Sequence, residues 1–262
     1  KGWVFYEITY LIGLVLVISV LASASGNLLN EALNISNIYG IILMILLIGI
    51  FSYFGSKVVM KFLSYWSIAL YFVFLILIIS IGSIFSENII LNFNISENKP
   101  NWLINGFKYA AYNVGIVPAM LFCLKDLKTR KEAIVSGIIG AFLAMIPGFM
   151  IYFSLLSHYP EIKSEIIPTN FLFNKLGSDS FKILFQIILF GTFVETGLGL
   201  IHGFNERIAS WLMEKKIILS GIYRFIISSF IMVICIFFAE QFGLISLIAE
   251  GYGTLTWAYW II

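Results

Sequence analysis

The sequence predicts an all-α, polytopic membrane protein, and three observations support this fold class. Of the 262 residues, 60% are hydrophobic and 11% are charged, whereas soluble domains carry roughly a quarter charged residues. Apolar segments long enough to cross a bilayer recur along the whole chain, and basic residues gather in alternate loops between them. We therefore expect the lipid bilayer to be the main partner. The net charge of +2 is too small to indicate a nucleic-acid partner.

Eight segments qualify as transmembrane helices, because a bilayer core of about 30 Å needs roughly 20 apolar helical residues. The ten-residue alternation that is typical of a membrane β-barrel is absent from the sequence. We therefore expect a single transmembrane domain over residues 1–262. The predicted spans are residues 4–29, 38–54, 65–84, 102–124, 133–156, 181–208, 217–238 and 244–262.

Basic residues orient these spans, since short cytoplasmic loops collect Lys and Arg. The loops after the second, fourth and sixth spans are basic, whereas the loop after the first span has no basic residue. We expect a multi-pass protein of the cell membrane with both ends of the chain in the cytoplasm. A short surface helix is predicted near Pro168 in the outer connection 157–180. The orienting residues are Lys57, Lys61, Lys125, Lys128, Arg130, Lys131, Arg207, Lys215 and Lys216.

The segment YNVGIVP, from Tyr112 to Pro118, interrupts the fourth span. Pro118 cannot donate the amide hydrogen bond that the carbonyl of Val114 would receive, and Gly115 weakens a helix by about 1 kcal/mol. Asn113 adds a polar amide just before them. Free backbone groups are tolerated in a bilayer only where protein or a water-filled cavity satisfies them. We expect the helix to break here and leave backbone groups free to hold a solute, with an ordinary proline kink as the alternative.

Glu195 lies about halfway along the sixth span, in GTFVETGLGL, between Thr192 and Thr196. An ionisable side chain at this depth is costly, so it usually faces a cavity or another helix. Thr192, Glu195 and Gly199 share one helix face because they are spaced three and four apart. A carboxylate there is suited to binding a cation or carrying a proton. The alternative is a hydrogen-bonded Glu that only holds helices together.

Other polar residues in or near the spans have weaker interpretations. Small residues around Ser25 and Gly26 in the first span predict tight helix packing. His202 and the segment 205–207 are expected to form either a solvated helix end or an Arg/Glu gate. The charged residues expected at the membrane interface are Glu7, Arg224, Glu240 and Glu250, and those expected to pack in apolar surroundings are Cys123 and Cys235.

No enzyme motif accompanies these features: the sequence lacks GxSxG, HExxH, a Walker loop and a paired Asp motif. His158 and His202 are expected near opposite faces of the membrane, which makes a shared metal site implausible. We therefore expect a protein that is not an enzyme, with no cofactor and no metal other than a coupling Na⁺.

Three segments carry a resemblance to a known family: FKYAAYNVGIVPAMLFCLKD, TRKEAIVSGIIGAFLAMIPGFMIYFSLL and GTFVETGLGLIHGFNERI. Their amino-acid sequences are similar to those of the YkvI-like family of uncharacterised bacterial permeases. The order of features resembles spans six to eight of the LeuT-like inverted-repeat fold of amino acid–polyamine–organocation transporters. The resemblance implies that the eight spans are helices three to ten of a ten-helix core, and that this sequence lacks the first two helices of that core.

The resemblance also implies a function, namely secondary transport of a small, amino-acid-like solute coupled to Na⁺ or H⁺. It places the solute at Tyr112, Asn113, Gly115 and Pro118, and the coupling ion or proton near Thr192, Glu195 and Thr196. Two alternatives stay open at this point. One is a membrane receptor or sensor of the same fold that binds solute without flux, and the other is a structural membrane subunit whose polar residues only pack helices. The sequence predicts no particular oligomeric state.

Overall fold

A computed structural model describes residues 2–95, 100–121, 124, 127–165 and 168–261. Within these ranges the chain is helical and contains no strand, as the continuous apolar runs predict. A 3-10 turn covers Glu161–Ser164, and a π-helical segment covers Leu247–Tyr252. In chain order, the α-helices of the described residues are α1 Gly2–Leu33, α2 Asn37–Tyr53, α3 Ser56–Ile95, α4 Trp102–Val114, α5 Val117–Met120, α6 Arg130–Leu156, α7 Pro168–Leu176, α8 Asp179–Glu214, α9 Gly221–Ser246 and α10 Gly253–Ile261.

Several of these helices are suited to a bilayer. Among the described residues, five stretches are long and apolar enough to cross a membrane, and α2 is a shorter apolar helix. Most of the predicted spans 217–238 and 244–262 belongs to one such stretch, Gly221–Tyr259, because the chain turns at Gly243 with helical structure on either side. The φ angle of Gly243 is +69°, which glycine adopts at little cost. The five stretches are Val4–Leu33, Ser56–Asn94, Arg130–Leu156, Asp179–Glu214 and Gly221–Tyr259.

Two further elements form as the sequence predicts. The surface helix predicted near Pro168 is α7, although Ile166 lies outside the described residues. At the start of α6, the side chain of Thr129 accepts a hydrogen bond from the backbone amide of Glu132 at 3.2 Å. The carboxylate of Glu132 in turn accepts one from the backbone amide of Lys128 at 2.8 Å. Polar side chains of this kind satisfy the free amides at a helix N-terminus.

The helices belong to two compact units, each assembled from separate parts of the chain. The first unit comprises Lys1–Ser64, Asn101–Cys123 and Phe190–Ile262. Its core is made by apolar side chains from α1, α2, α8 and α9, together with Ala119 of α5. Cys235 of α9 is fully buried in this core, as the packing interpretation predicts, whereas Cys123 lies outside the described residues.

Small residues allow α1 and α2 to approach closely in the first unit. A Cβ atom built on Gly40 would lie 2.5 Å from the backbone oxygen of Ser25, and one on Gly26 would lie 2.8 Å from the backbone oxygen of Asn37. The hydroxyl of Ser25 also donates to the carbonyl of Gly40 at 3.2 Å. The tight packing predicted for this part of the first span is therefore confirmed.

The second unit comprises Tyr65–Pro100 and Leu124–Leu189. Its core joins α3 to α7 and to the first part of α8, with the rings of Phe173 and Phe185 4.6 Å apart. Trp66 donates its indole hydrogen to the carbonyl of Ile188 at 3.2 Å. None of the most apolar window of α6 is buried, whereas Ser154 and Leu156 at the end of this helix are buried.

His158 follows α6 in the second unit and packs between two aromatic rings. Its ring lies 4.6 Å from that of Phe85 and 5.5 Å from that of Phe171. Burial is the main cause that lowers the pKa of His158, and the positive charge of Lys175 lowers it further. The structure therefore favours the neutral imidazole at this position.

Candidate functional site

The predicted interruption of the fourth span is present. Helix α4 ends at Val114 and α5 begins at Val117, with a turn at Gly115 and Ile116 between them. The amide of Ile116 donates to the carbonyl of Asn113 at 3.1 Å, and the amide of Ala119 donates to the carbonyl of Ile116 at 2.9 Å. Pro118 lies in the first turn of α5, where its missing amide hydrogen costs little. The sequence therefore produces two short helices rather than one kinked helix.

The polar groups at the break have partners, contrary to the expectation that they stay free for a solute. The carbonyl of Val114, which Pro118 leaves without a donor, accepts a hydrogen bond from the hydroxyl of Tyr6 at 3.3 Å. The side-chain amide of Asn113 donates to the carbonyl of Tyr109 at 2.7 Å, inside its own helix. Val114 is exposed, and the hydroxyl of Tyr6 in α1 supplies the hydrogen-bond donor that its carbonyl lacks within the helix.

Tyr259 of α10 covers the break. Gly115 is buried, and a Cβ atom added to it would lie 2.4 Å from the hydroxyl oxygen of Tyr259. A Cβ atom on Gly13 of α1 would lie 3.1 Å from the same oxygen. The rings of Tyr6 and Tyr259 meet edge to face, with centroids 6.3 Å apart. Glycine is thus required at position 115 because an aromatic side chain occupies the space beside it.

A cavity of about 210 Å³ lies beside the break in the first unit. Gly115 and Thr196 both line it, so the structure brings together one residue from each predicted site. Tyr10 is 2% exposed, and within the described residues its hydroxyl has no hydrogen-bond partner. The residues that line the cavity are Tyr10, Gly13, Leu14, Val17, Leu21, Gly115, Ile116, Thr196, Leu200, Tyr252, Leu255 and Tyr259.

The chemistry of this cavity is that of hydroxyl groups set in an apolar wall. Its described lining contains no charged side chain, and its polar groups come from three tyrosines and Thr196. Hydroxyls both donate and accept hydrogen bonds. The cavity can therefore hold a small, mostly apolar molecule and orient it through a few polar contacts.

The other predicted site residues lie near the break or on α8 but are not part of the described cavity lining. Asn113 and Pro118 form the break itself, with Pro118 buried. Thr192 and Glu195 are half-buried on α8 and have interaction partners within the protein. Tyr112 is part of α4, but its side chain lies outside the described residues.

Helix α5 is fixed against α8 by a close backbone contact. A Cβ atom on Gly203 would lie 2.6 Å from both the Cα atom and the carbonyl oxygen of Ala119. Ala119 is 4% exposed, so the contact is buried. A side chain at position 203 would separate the two helices.

Around Gly203, six polar residues of α3, α8 and α9, four of them buried, form a group that we call the α8 polar cluster. Its members are Ser56, His202, Asn205, Glu206, Arg224 and Ser228. The sequence allowed either a solvated helix end or an Arg/Glu gate here. The structure contradicts the solvated end, because His202 and Asn205 are fully buried and Glu206 is 8% exposed.

Contacts within the α8 polar cluster join three helices. Arg224 of α9 lies 2.8 Å from the carboxylate of Glu206, and the hydroxyl of Ser56 lies 3.0 Å from the ring of His202. Asn205 donates to the hydroxyl of Ser228 at 3.1 Å. The i, i+4 spacing of His202 and Glu206 is visible in the sequence, but their buried partner Arg224 is not adjacent to them in the chain.

A second ion pair lies beside this cluster. Arg207 of α8 pairs with Glu7 of α1, and its guanidinium carbon lies 5.5 Å from the centroid of the Tyr10 ring. Glu7 and Arg224 were expected as interfacial residues, and in the structure both are engaged in ion pairs. Sequence reasoning also missed Tyr6, Tyr10 and Tyr259, because thirteen tyrosines are distributed over the chain and nothing local distinguishes these three.

Comparisons with known proteins agree with the membrane character of this architecture. The chain is 24% identical over 213 residues to the uncharacterised membrane protein YkvI of Bacillus subtilis strain 168, an alignment that covers 76% of this chain. The chain spans about 57% of the length of that relative. No family model matches the chain, and no solved structure matches it. The protein is therefore an all-helical membrane protein with a YkvI-like homologue.

Proposed function

We propose that the protein is a secondary transporter that moves a small, amino-acid-like solute coupled to Na⁺ or H⁺. The observation that supports this proposal is the broken helix α4–α5, whose Gly115 lines a cavity together with Thr196 of α8. A broken helix beside a cavity is how many membrane transporters hold their solutes at mid-membrane. The LeuT-like inverted-repeat fold, with this chain supplying helices three to ten, is part of the same proposal.

The solute would lie against the turn at Gly115 and Ile116. Tyr10, Tyr259 and Thr196 would orient it through hydroxyl groups, since the described cavity lining contains no charged side chain. Asn113 and Pro118 would act indirectly by shaping the break. In this assignment the binding groups are side chains that replace the bare backbone dipoles expected from the sequence.

Coupling would involve Thr192, Glu195 and Thr196 on one helix. Thr196 would link the coupling site to the solute, because it lines the cavity and follows Glu195 directly in the chain. Glu195 would take up a cation or a proton, as intramembrane carboxylates do in other transporters.

The test is uptake by the whole protein reconstituted into liposomes, with a mixture of radiolabelled amino acids as probe and with imposed Na⁺ or pH gradients. Wild-type protein is expected to show gradient-driven uptake. Glu195→Gln is expected to abolish uptake or to uncouple it from the gradient, because the neutral amide can neither release a proton nor supply a negative charge. Glu165→Gln serves as control, since Glu165 lies in the connection before α7.

Three results would contradict parts of the proposal. Unchanged Na⁺ and pH dependence in Glu195→Gln would remove this residue from coupling. Binding of labelled amino acids without counterflow would favour a receptor or sensor. A structural subunit would be favoured if the protein bound no labelled amino acid and if Asn113→Ala and Glu195→Gln both left its folding unchanged.

A further inference from the structure

A second and larger cavity lies between α1, α9 and the segment that follows Gly243. Unlike the described lining of the cavity beside the α4–α5 break, its lining includes a charged residue. Its volume is about 590 Å³, within the roughly 300–1,000 Å³ range of small-molecule sites. We call it the α1–α9 groove. Its lining residues are Leu11, Ile12, Val15, Leu16, Ser19, Ile234, Phe238, Phe242, Ser246, Leu247, Glu250, Gly251, Thr254 and Leu255.

Glu250 is the one charged residue in the described lining of this groove. The sequence predicts an interfacial position for it, and the structure places it within the apolar stretch Gly221–Tyr259. A Cβ atom on the adjacent Gly251 would lie 2.5 Å from a side-chain carbon of Leu16. Leu16 follows Val4, where the membrane-crossing part of α1 begins, by twelve residues, which is about 18 Å of helix at 1.5 Å per residue.

The backbone that carries Glu250 is unusual. Leu247–Tyr252 is π-helical, and π-helical turns inside α-helices occur frequently at functional sites. The segment that follows the Gly243 turn packs against α1, and Glu250 of this segment lines the groove. A carboxylate at this depth is costly unless a cation or a proton compensates it.

The hydroxyl group of Thr254 increases the preference of the groove for a positively charged ligand. Ser19 donates its hydroxyl hydrogen to the carbonyl of Val15 at 2.7 Å, and Thr254 donates to the carbonyl of Glu250 at 2.8 Å. The exposed oxygen of Thr254 therefore presents lone pairs rather than a hydrogen, whereas Ser19 is fully buried and its oxygen is not accessible to a ligand. Within the described residues, no Lys, Arg or His forms an ion pair with Glu250. The groove thus combines a long apolar wall with the negative charge of Glu250 and the hydroxyl oxygen of Thr254 as a hydrogen-bond acceptor.

We propose that the α1–α9 groove binds a lipophilic primary amine, with the ammonium group at the carboxylate of Glu250 and the hydrocarbon body along α1 and α9. An ammonium group donates three hydrogen bonds and carries the complementary charge. The apolar wall supplies most of the affinity through burial of hydrocarbon. Glu250 supplies the discrimination between an amine and a neutral molecule of the same shape. This site is independent of the proposed transport function.

The experiment uses the whole protein in phosphatidylcholine nanodiscs and two photoactivatable probes, a diazirine-bearing dodecylamine and the dodecanol of matched structure. After irradiation, labelled peptides are identified by mass spectrometry. The amine is expected to label residues 11–19 and 234–255 about tenfold more than the alcohol, the ratio that one additional charge-assisted contact provides. Excess unlabelled dodecylamine is expected to suppress this labelling.

Glu250→Gln is expected to reduce labelling of the groove by the amine to the level of the alcohol, while labelling by the alcohol persists and shows that the groove is intact. Glu240→Gln is the matched control, because Glu240 is an exposed glutamate of α9 outside the groove lining. In the wild-type protein, equal labelling of the groove by both probes would overturn the proposal, whatever the variants do. Such a result would mean that the groove takes any hydrocarbon chain of the bilayer.

Discussion

At the scale of single residues, the hydrogen bond between Tyr6 and the carbonyl of Val114 compensates for the missing amide hydrogen of Pro118. We expect Tyr6→Phe to destabilise the protein by about 1 kcal/mol, the usual net contribution of such a bond. In a Pro118→Ala background the same change is expected to cost almost nothing, because the restored amide of residue 118 can donate to Val114. Urea titration of the purified protein in detergent measures the free energy of unfolding of each variant and so gives the cost of Tyr6→Phe in both backgrounds.

Tyr39→Phe provides the control for this double-mutant cycle, since Tyr39 is 61% exposed on α2. Its loss of stability is expected to be near zero in both backgrounds. An equal cost of Tyr6→Phe with and without Pro118 would show that the tyrosine acts by packing alone.

Gly115 is the second residue whose identity the structure explains. We expect Gly115→Ala to force the ring of Tyr259 out of place, since the new methyl group would lie 2.4 Å from its hydroxyl oxygen. Displacements of this size cost about 1–3 kcal/mol. Uptake of radiolabelled amino acids into liposomes is therefore expected to fall about tenfold or more.

Gly106→Ala is the matched control in the same helix, because a Cβ atom there meets nothing within 4 Å. It is expected to leave uptake unchanged and to stabilise α4 slightly, as alanine favours a helix over glycine. Normal uptake by Gly115→Ala would mean that the solute does not lie at the break.

At the scale of helices, two ion pairs connect α8 to its neighbours with different degrees of burial. The side chains of Glu206 and Arg224 are 10% and 12% exposed, whereas those of Glu7 and Arg207 are each 29% exposed. We expect Glu206→Gln to destabilise the protein by about 3 kcal/mol, because it leaves a buried guanidinium without its carboxylate. Thermal unfolding in detergent measures the loss.

Glu7→Gln is the comparison for this prediction. It is expected to cost less than about 1 kcal/mol, as is usual for pairs that solvent reaches. Equal losses for the two variants would indicate that burial of the α8–α9 pair contributes no additional stability.

The helices differ in how well local sequence predicts them. The break between α4 and α5 is predictable because Gly115 and Pro118 act on their own backbone. The donor that satisfies the break is not predictable, because Tyr6 lies 108 residues away in the chain. The packing of the segment Leu247–Tyr252 against α1 was not predictable for a related reason. It depends on the turn at Gly243 and on contacts with Leu16, which is distant in the chain.

At the scale of the whole molecule, composition and periodicity were sufficient to predict an all-helical membrane protein. The assembly of each compact unit from separate parts of the chain was not predictable, because it depends on pairings between distant helices. The α8 polar cluster is an example of a feature that the local sequence does not predict. His202 and Asn205 read as the polar end of a span, yet both are fully buried once α3 and α9 are in place.

The contact between Ala119 and Gly203 has a mechanical consequence. The two backbones pack closely, so α5 cannot move along α8 unless the two helices first separate. Gly115 and Ile116 lie between α4 and α5 and belong to neither helix, so the backbone can bend there at a much lower energetic cost. We therefore expect α5 and α8 to move together in any conformational change of this region, with the chain bending at Gly115 and Ile116.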